Sequence, residues 1–204
     1  TLAKTLGAQA HVTVKPLDDE VTPAALAASG VVRMTQTQPR AQRTRSIGNW
    51  QALLPLLEAL PEVAAVSPMV SGAALALRGE ASRSVALMGV ELERYDRIIG
   101  LRSKVVAGEA RMGPGEGLIG RELAEDLGVR VGDRISVSTA AGASAVTDTL
   151  HVTGLVDLGV RDLNRRTVLL PLRAAQSLLD LPGGATVLEL ALHDVWSAQD
   201  LADR

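Results

Sequence analysis

The chain has 204 residues, enough for one large domain or two small ones, and its 47% hydrophobic content comes almost wholly from Ala, Val and Leu. A net charge of -2 with both signs interspersed offers no field for a phosphate backbone, and Trp50, Tyr95 and Trp196 are the only aromatics, so nucleic acid is discounted as a partner. The absence of cysteine excludes disulfides, thiolate catalysis and Cys-ligated zinc.

In chain order, alternation through His11, Val12, Thr13 and Val14 predicts a strand stopped by Pro16. Thr22 as N-cap, Pro23 at the first helical position and Gly30 as the stop predict a short helix, preceded by the acidic run Asp18, Asp19 and Glu20, whose charge favours a helix N-terminus. A strand in "VVRMTQTQ" and a polar connector carrying Arg40, Arg43 and Arg45 follow. Asn49 then caps a helix with Leu53, Leu54, Leu57 and Leu60 on one face. Pro55 inside it predicts a kink or a regular part that begins later. Two strands are expected next, around Val63 to Val66 and Met69 to Leu77. The uncharged stretch from Val63 to Leu77 is broken by Pro68 and Gly72 and falls short of the ~20 residues that span a bilayer. The first residue is Thr1, and no basic-then-apolar leader follows, so a piece of a longer protein is the expectation.

The middle of the chain reads as a strand from Arg83 to Val90 running into a polar turn or helix, then the turn-rich "SKVVAGEARMGPGEG". Leu118 and Ile119 form a short strand, Arg121 to Leu127 a helix, and Gly128 its left-handed cap. Val129, Val131, Ile135 and Val137 alternate on one side of the next strand, turned by Gly132 and Asp133. Strands follow in "DTLHVTGLVDLG" and "RRTVLLPL", a helix in "RAAQSLLDL", a strand in "ATVLELALHD" and a last helix near Trp196. This irregular mixture predicts an α+β fold with a strand-rich middle.

Gly115, Gly117 and Gly120 have the G-x-G-x-x-G spacing of a dinucleotide-binding turn, but its context is missing. No strand is expected just upstream, Leu118 and Ile119 sit where the turn belongs, and Asp133 precedes the next strand instead of following it. The three glycines are read as turn and cap positions, with no cofactor. Phosphate-loop, zinc-helix and nucleophile-elbow motifs are absent. His11, His151 and His193 are far apart, and only His193 has a neighbouring carboxylate, Asp194; no metal site and no catalytic residue are assigned. The one cluster of surface chemistry is Asp157, Arg161, Asp162, Arg165 and Arg166, expected in a turn between two apolar strands. It reads either as a partner contact or as a self-compensated ion-pair loop.

In their order, "ALPEVAAVSPMV", "SVALMGVELERYDRI", "EGLIGRELAEDLGVRVGDRISVST", "LHVTGLVDLG" and "TVLLPLRAAQSLLDLPGGATVLELALHD" resemble the extracytoplasmic core domain of FtsX-like ABC transporter permeases. The type is that of MacB and the lipoprotein-releasing LolC and LolE. The resemblance covers roughly residues 50 to 195 and is most specific from Leu118 to Val137. It implies a porter-like βαβ subdomain over residues 1–80 and 185–204 and an inserted mostly-β lobe over 81–184. It further implies a non-catalytic role in which a cytoplasmic ATP-binding subunit drives motion through membrane helices of an inner-membrane protein. A second permease protomer and an envelope adaptor or chaperone are the implied partners. In lipoprotein-releasing permeases a hairpin of the lobe hooks a chaperone; the matching loop, Ala140 to Thr147 with Ala143 near its centre, is short here. The alternative is a free-standing secreted or periplasmic ligand-binding module, which requires a concave apolar pocket.

Overall fold

The computed structural model describes residues 11–15, 46–47, 49–139 and 145–193. The expected helix from Thr22, the strand in "VVRMTQTQ", the arginine connector, the acidic run, Asp194, the last helix and Ala143 lie outside them.

The strands are β1 (His11–Val14), β2 (Val63–Arg78), β3 (Ala81–Val90), β4 (Val105–Gly108), β5 (Glu116–Gly120), β6 (Arg134–Thr139), β7 (Val146–Val156), β8 (Thr167–Pro171) and β9 (Val187–Leu192). The helices are α1 (Trp50–Glu58), α2 (Leu92–Ile99), α3 (Arg121–Leu127), α4 (Arg161–Arg166) and α5 (Leu172–Leu178), with a 3₁₀ turn at Leu101–Lys104. The fold is α+β, as the mixed periodicity predicts.

β2 organises the sheet. Its first part, Val63 to Met69, pairs antiparallel with β9, which in turn pairs antiparallel with β1. β1 and β2 therefore run parallel with β9 between them, a split β-α-β unit. From Met69 onward β2 pairs with β3, and at Leu75 to Leu77 its other edge takes up β6. The pairings β2-β3, β3-β8, β8-β5, β5-β7, β7-β6 and β6-β2 form a closed ring of six strands. Closure removes the free edges that an open sheet would leave for aggregation.

Side-chain alternation assigns the two faces of β2 to different cores. Val66, Val70, Ala74 and Ala76 join the larger cluster, which receives residues from all six ring strands and from α1, α3 and α5. Ala65 and Met69 point the other way, into a cluster closed by Tyr95 and Ile98 of α2. β2 is one 16-residue strand and not the two that Pro68 suggested. Pro68 stands just beyond the end of β3, whose Val90 is opposite Met69, so β2 is paired there on the β9 side alone, a setting that tolerates a residue without a backbone N–H.

Local expectations divide in the same way. α3 and its left-handed cap at Gly128 (φ 63°) stand where the sequence placed them. α1 carries Pro55 internally and starts at Trp50, so its regular part does not begin late; it stops at Glu58, leaving Leu60 outside. The turn-rich stretch contains β4. Val131 is 41% exposed and does not share the buried side of Ile135 and Val137, because β6 begins only at Arg134.

The three spaced glycines serve the scaffold. Gly115 has φ 71° in a turn, Gly117 lies within β5 and is a strand position instead of a turn or cap, and Gly120 is the N-cap of α3. At Gly120 a Cβ would stand 1.8 Å from the Asn164 carbonyl oxygen, whereas at Gly128 it would meet nothing within 4 Å. Gly120→Ala should therefore destabilise by about 3 kcal/mol through backbone overlap, and Gly128→Ala by only about 1 kcal/mol through its left-handed φ. Urea denaturation of the two variants measures the order; equal losses would contradict the close approach.

Candidate functional site

The charged cluster expected as a turn is a helix. α4 carries Arg161, Asp162, Arg165 and Arg166 between β7 and β8 and lies against α3. Its register is set by Asn164, which is 1% exposed. The Asn164 amide Nδ2 donates to Asp157 Oδ1 at 2.9 Å, and its Oδ1 accepts the Leu158 N–H at 2.7 Å. The Asp157 carboxylate also accepts the Gly159 N–H at 2.9 Å and meets Arg121 Nη1 at 3.0 Å. A single buried amide thus fixes the end of β7, the start of α4 and, through Gly120, the start of α3.

The ion pairs run between elements and not within the cluster. Asp126 of α3 lies 3.2 Å from Arg165 Nε as an ion pair without hydrogen-bond alignment, and 3.3 Å from Arg83 Nε of β3. Asp157 is matched by Arg121 of α3, outside the expected set. Arg161, Asp162 and Arg166 are exposed and have no ion pair among the described residues. The self-compensated loop is therefore corrected: compensation comes from α3 and β3, and the outer face of α4 keeps its charges for solvent or a partner. Sequence reasoning missed Arg121, Glu122, Asp126 and Asn164. Asn164, a polar residue seven positions after Asp157 and next to an apolar strand, was the available signal.

Between α3 and α4 lies a shallow cleft of about 430 Å³ lined by Arg121, Glu122, Glu125, Asp157, Gly159, Arg161 and Asn164. Glu122 is buried at 4% exposure, and its Oε1 accepts from Arg121 Nε at 3.0 Å. Burial pushes the Glu122 carboxyl up, but the hydrogen bond and charge of Arg121, the backbone N–H and the nearby Asn164 amide outweigh this and hold it below its ordinary value. Asp157 is likewise held low, first by the Asn164 amide, then by the Gly159 N–H and the Arg121 charge. A second cleft, lined by Glu58, Val63, Ala64, Ala65, Val66, Arg94 and Arg97, opens between α1, β2 and α2. Among the described residues no group of three or more His, Asp or Glu side chains converges as a metal site, and no helix is long and apolar enough to cross a membrane. His151 is half-buried in β7 and His193 is exposed after β9.

A split β-α-β unit, a closed strand ring and charged surface clefts define a scaffold, and comparison with known proteins places it. The family model for the MacB-like periplasmic core domain matches residues 12–204. The chain belongs to that family. Among curated relatives of this MacB-like domain, the lipoprotein-releasing system transmembrane protein LolC of Xylella fastidiosa is 30% identical over 163 residues, covering 76% of this chain and 39% of the relative. LolE of Haemophilus influenzae is 32% identical over 165 residues with the same coverage. The chain thus spans about two fifths of the length of the curated relatives it matches. In fold, it is similar to the extracellular domain of the ABC-type transporter YknZ from Gram-positive bacteria, with TM-score 0.57, 15% identity and coverage of 76% and 78%. It is also similar to the periplasmic region of MacB from Actinobacillus actinomycetemcomitans, with TM-score 0.53, 12% identity and coverage of 75% and 69%. It is a MacB-like periplasmic core domain, and the curated relatives that match it are transmembrane proteins of lipoprotein-releasing systems.

The low carboxyl pKa values set an acid limit for the domain. Both groups titrate lower when folded than when unfolded, so their contribution is complete above the unfolded carboxylate range near ~4 and is lost as pH falls through the folded values. Urea midpoints should hold steady from neutral pH to about 5 and fall below that. Asp157→Asn should lower the plateau and flatten the acid limb, and an unchanged limb would show that Asp157 does not link folding to protons.

Proposed function

We propose that this domain transmits motion. ATP hydrolysis by a separate cytoplasmic subunit or domain moves membrane helices that flank the chain, and the domain passes that displacement to substrate or to an envelope partner. The observation that carries the reading is β2, which runs without a break from the sheet holding both described ends of the chain into the closed ring. At ~3.3 Å per residue it is about 50 Å long, a span along which a pull at one end is delivered at the other with little internal give.

Residues 1–80 and 185–204 are assigned to the porter-like part and 81–184 to the inserted lobe, with β2 shared in its last turns of the ring. A second permease protomer would pair with this one in the assembly. The outer face of α4, with Arg161, Asp162 and Arg166, and the β6-β7 connection that includes Ala143 are the two places offered to an adaptor or chaperone. Lipoprotein release is the substrate class suggested by the names of the LolC and LolE relatives. A free-standing ligand-binding module draws little support from the shallow cleft between α3 and α4, whose lining is mostly charged.

An antibody to this chain should detect, on carbonate-washed membranes, a band larger than 204 residues that resists extraction; a soluble band of the chain's own size would end the permease reading. Replacing Arg161 and Arg166 with Ser should leave stability within about 0.5 kcal/mol, since both are exposed and unpaired. Transport by the whole assembly should fall if α4 meets a partner, and unaltered transport removes α4 from the partner surface.

A further inference from the structure

The turn from α1 to β2 lies at the end of the sheet where the first described residue of β1 and the last residues of β9 stand. In the paired strands His11 stands opposite Ala191 and Val63 opposite Leu192. The His193 N–H donates to the Glu62 carbonyl at 3.0 Å, so the last described residue is bonded to this turn. α1 arrives from the opposite end of the sheet, where the Trp50 indole N–H donates to the Gly183 carbonyl at 2.9 Å.

Among the described residues this apex is exposed and largely apolar, with Glu58 and Glu62 as its two carboxylates. Leu56 is 65% exposed, more than any other large hydrophobic side chain among the described residues. Ala59, Pro61 and Ala64 are exposed beside it, and Leu57 and Leu60 are half-buried. The one acid of α1, Glu58, is engaged by Arg94, whose Nε also meets Glu91 Oε2 at 3.0 Å. Arg97 stands at the rim, exposed and with no ion pair among the described residues.

We propose that the apex from Leu56 to Ala64, with Arg97 at its rim, rests on the phospholipid surface from which the membrane-spanning parts of the protein emerge. The inference builds on the permease reading and sets the bilayer at the end of the sheet that holds His11 and His193, the described residues nearest the two termini. Leu56, Leu60 and Pro61 enter the boundary between headgroups and acyl chains, and Arg97 meets lipid phosphate. The contact sets the height and tilt of the domain, so that motion of the membrane helices reaches β2 through two supports instead of through the chain ends alone. One other occupant fits less well. A second copy would bury at this small apex far less than the ~800 Å² per partner of a stable interface. Val14 and Ile47 stand at the other end of the sheet, where Val14 is opposite Leu188 and Ile47 bridges Ala185.

The test holds the 204-residue chain by an N-terminal histidine tag on nickel-chelating vesicles of phosphatidylethanolamine with about a quarter phosphatidylglycerol. A lipid-sensitive fluorophore is attached at Leu56→Cys or, as control, at Leu75→Cys, which lies about 40 Å further along β2. Brominated lipid should quench the label at position 56 at least ~3-fold more than at position 75, and Arg97→Ser should reduce that difference on anionic vesicles. Equal quenching at the two positions overturns the lipid contact, as does a disulfide-linked Leu56→Cys dimer without quenching, which assigns the apex to a second copy. Carbonate extraction reports separately on the permease reading: quenching at position 56 without a membrane-embedded parent leaves a lipid-binding face on a peripheral protein and removes the membrane helices from the account.

Discussion

The pairing of β2 on both of its edges is the constraint on which everything else rests. One edge is occupied by β3 over ten register positions, and the other passes from β9 to β6 between Met69 and Leu75. A slip of one residue would exchange Val66, Val70, Ala74 and Ala76 with the residues that face α2, and both cores would lose their fit together. The terminal sheet and the ring are for this reason not separable by a cut at one loop. Both include β2.

The second anchor is polar and small. Asn164, almost without exposed surface, satisfies its own amide with Asp157 and Leu158 while its backbone presses on Gly120. A buried amide left without these partners would cost more than any surface ion pair contributes, because desolvation acts on the unpaired group in full. The exposed arginines of α4 are held in place by this node without themselves being needed for it. That separation of a fixed interior from a free outer face suits a surface that must be presented to something else.

The functional reading is mechanical because the molecule has the means for mechanics. The described ends of the chain, β1, β9 and the start of β2, share one sheet, and β2 continues into a ring without free edges among its six strands, which is the path the proposed motion would take. α2 and α1 cover the two faces of that sheet, joined at its end by Glu58 and Arg94. The family supplies the periplasmic core domain, while the unbroken β2 supplies the link on which the proposed motion depends.

Elements governed by neighbours a few residues away were legible in the sequence. The α3 helix follows from its apolar spacing and from Gly128, whose left-handed cap is favoured locally, and the strand from Ile135 follows from period-two alternation. The family was legible through the order of such elements. What depended on distant partners was not. Pro68 is tolerated because the pairing of β2 with β3 starts one residue later, at Met69 opposite Val90, Pro55 because α1 is held by tertiary packing of Trp50 and Leu54, and "DLGVRDLNRR" became a helix because Asn164 is bonded to Asp157 and packed on Gly120. By itself the sequence determined the α+β class and such elements as α3 and β9, since these rest on propensity and local spacing. Only the tertiary structure decided ring closure, the partners of the charged residues and the exposed apex of α1, since long-range pairing selects among locally equivalent choices.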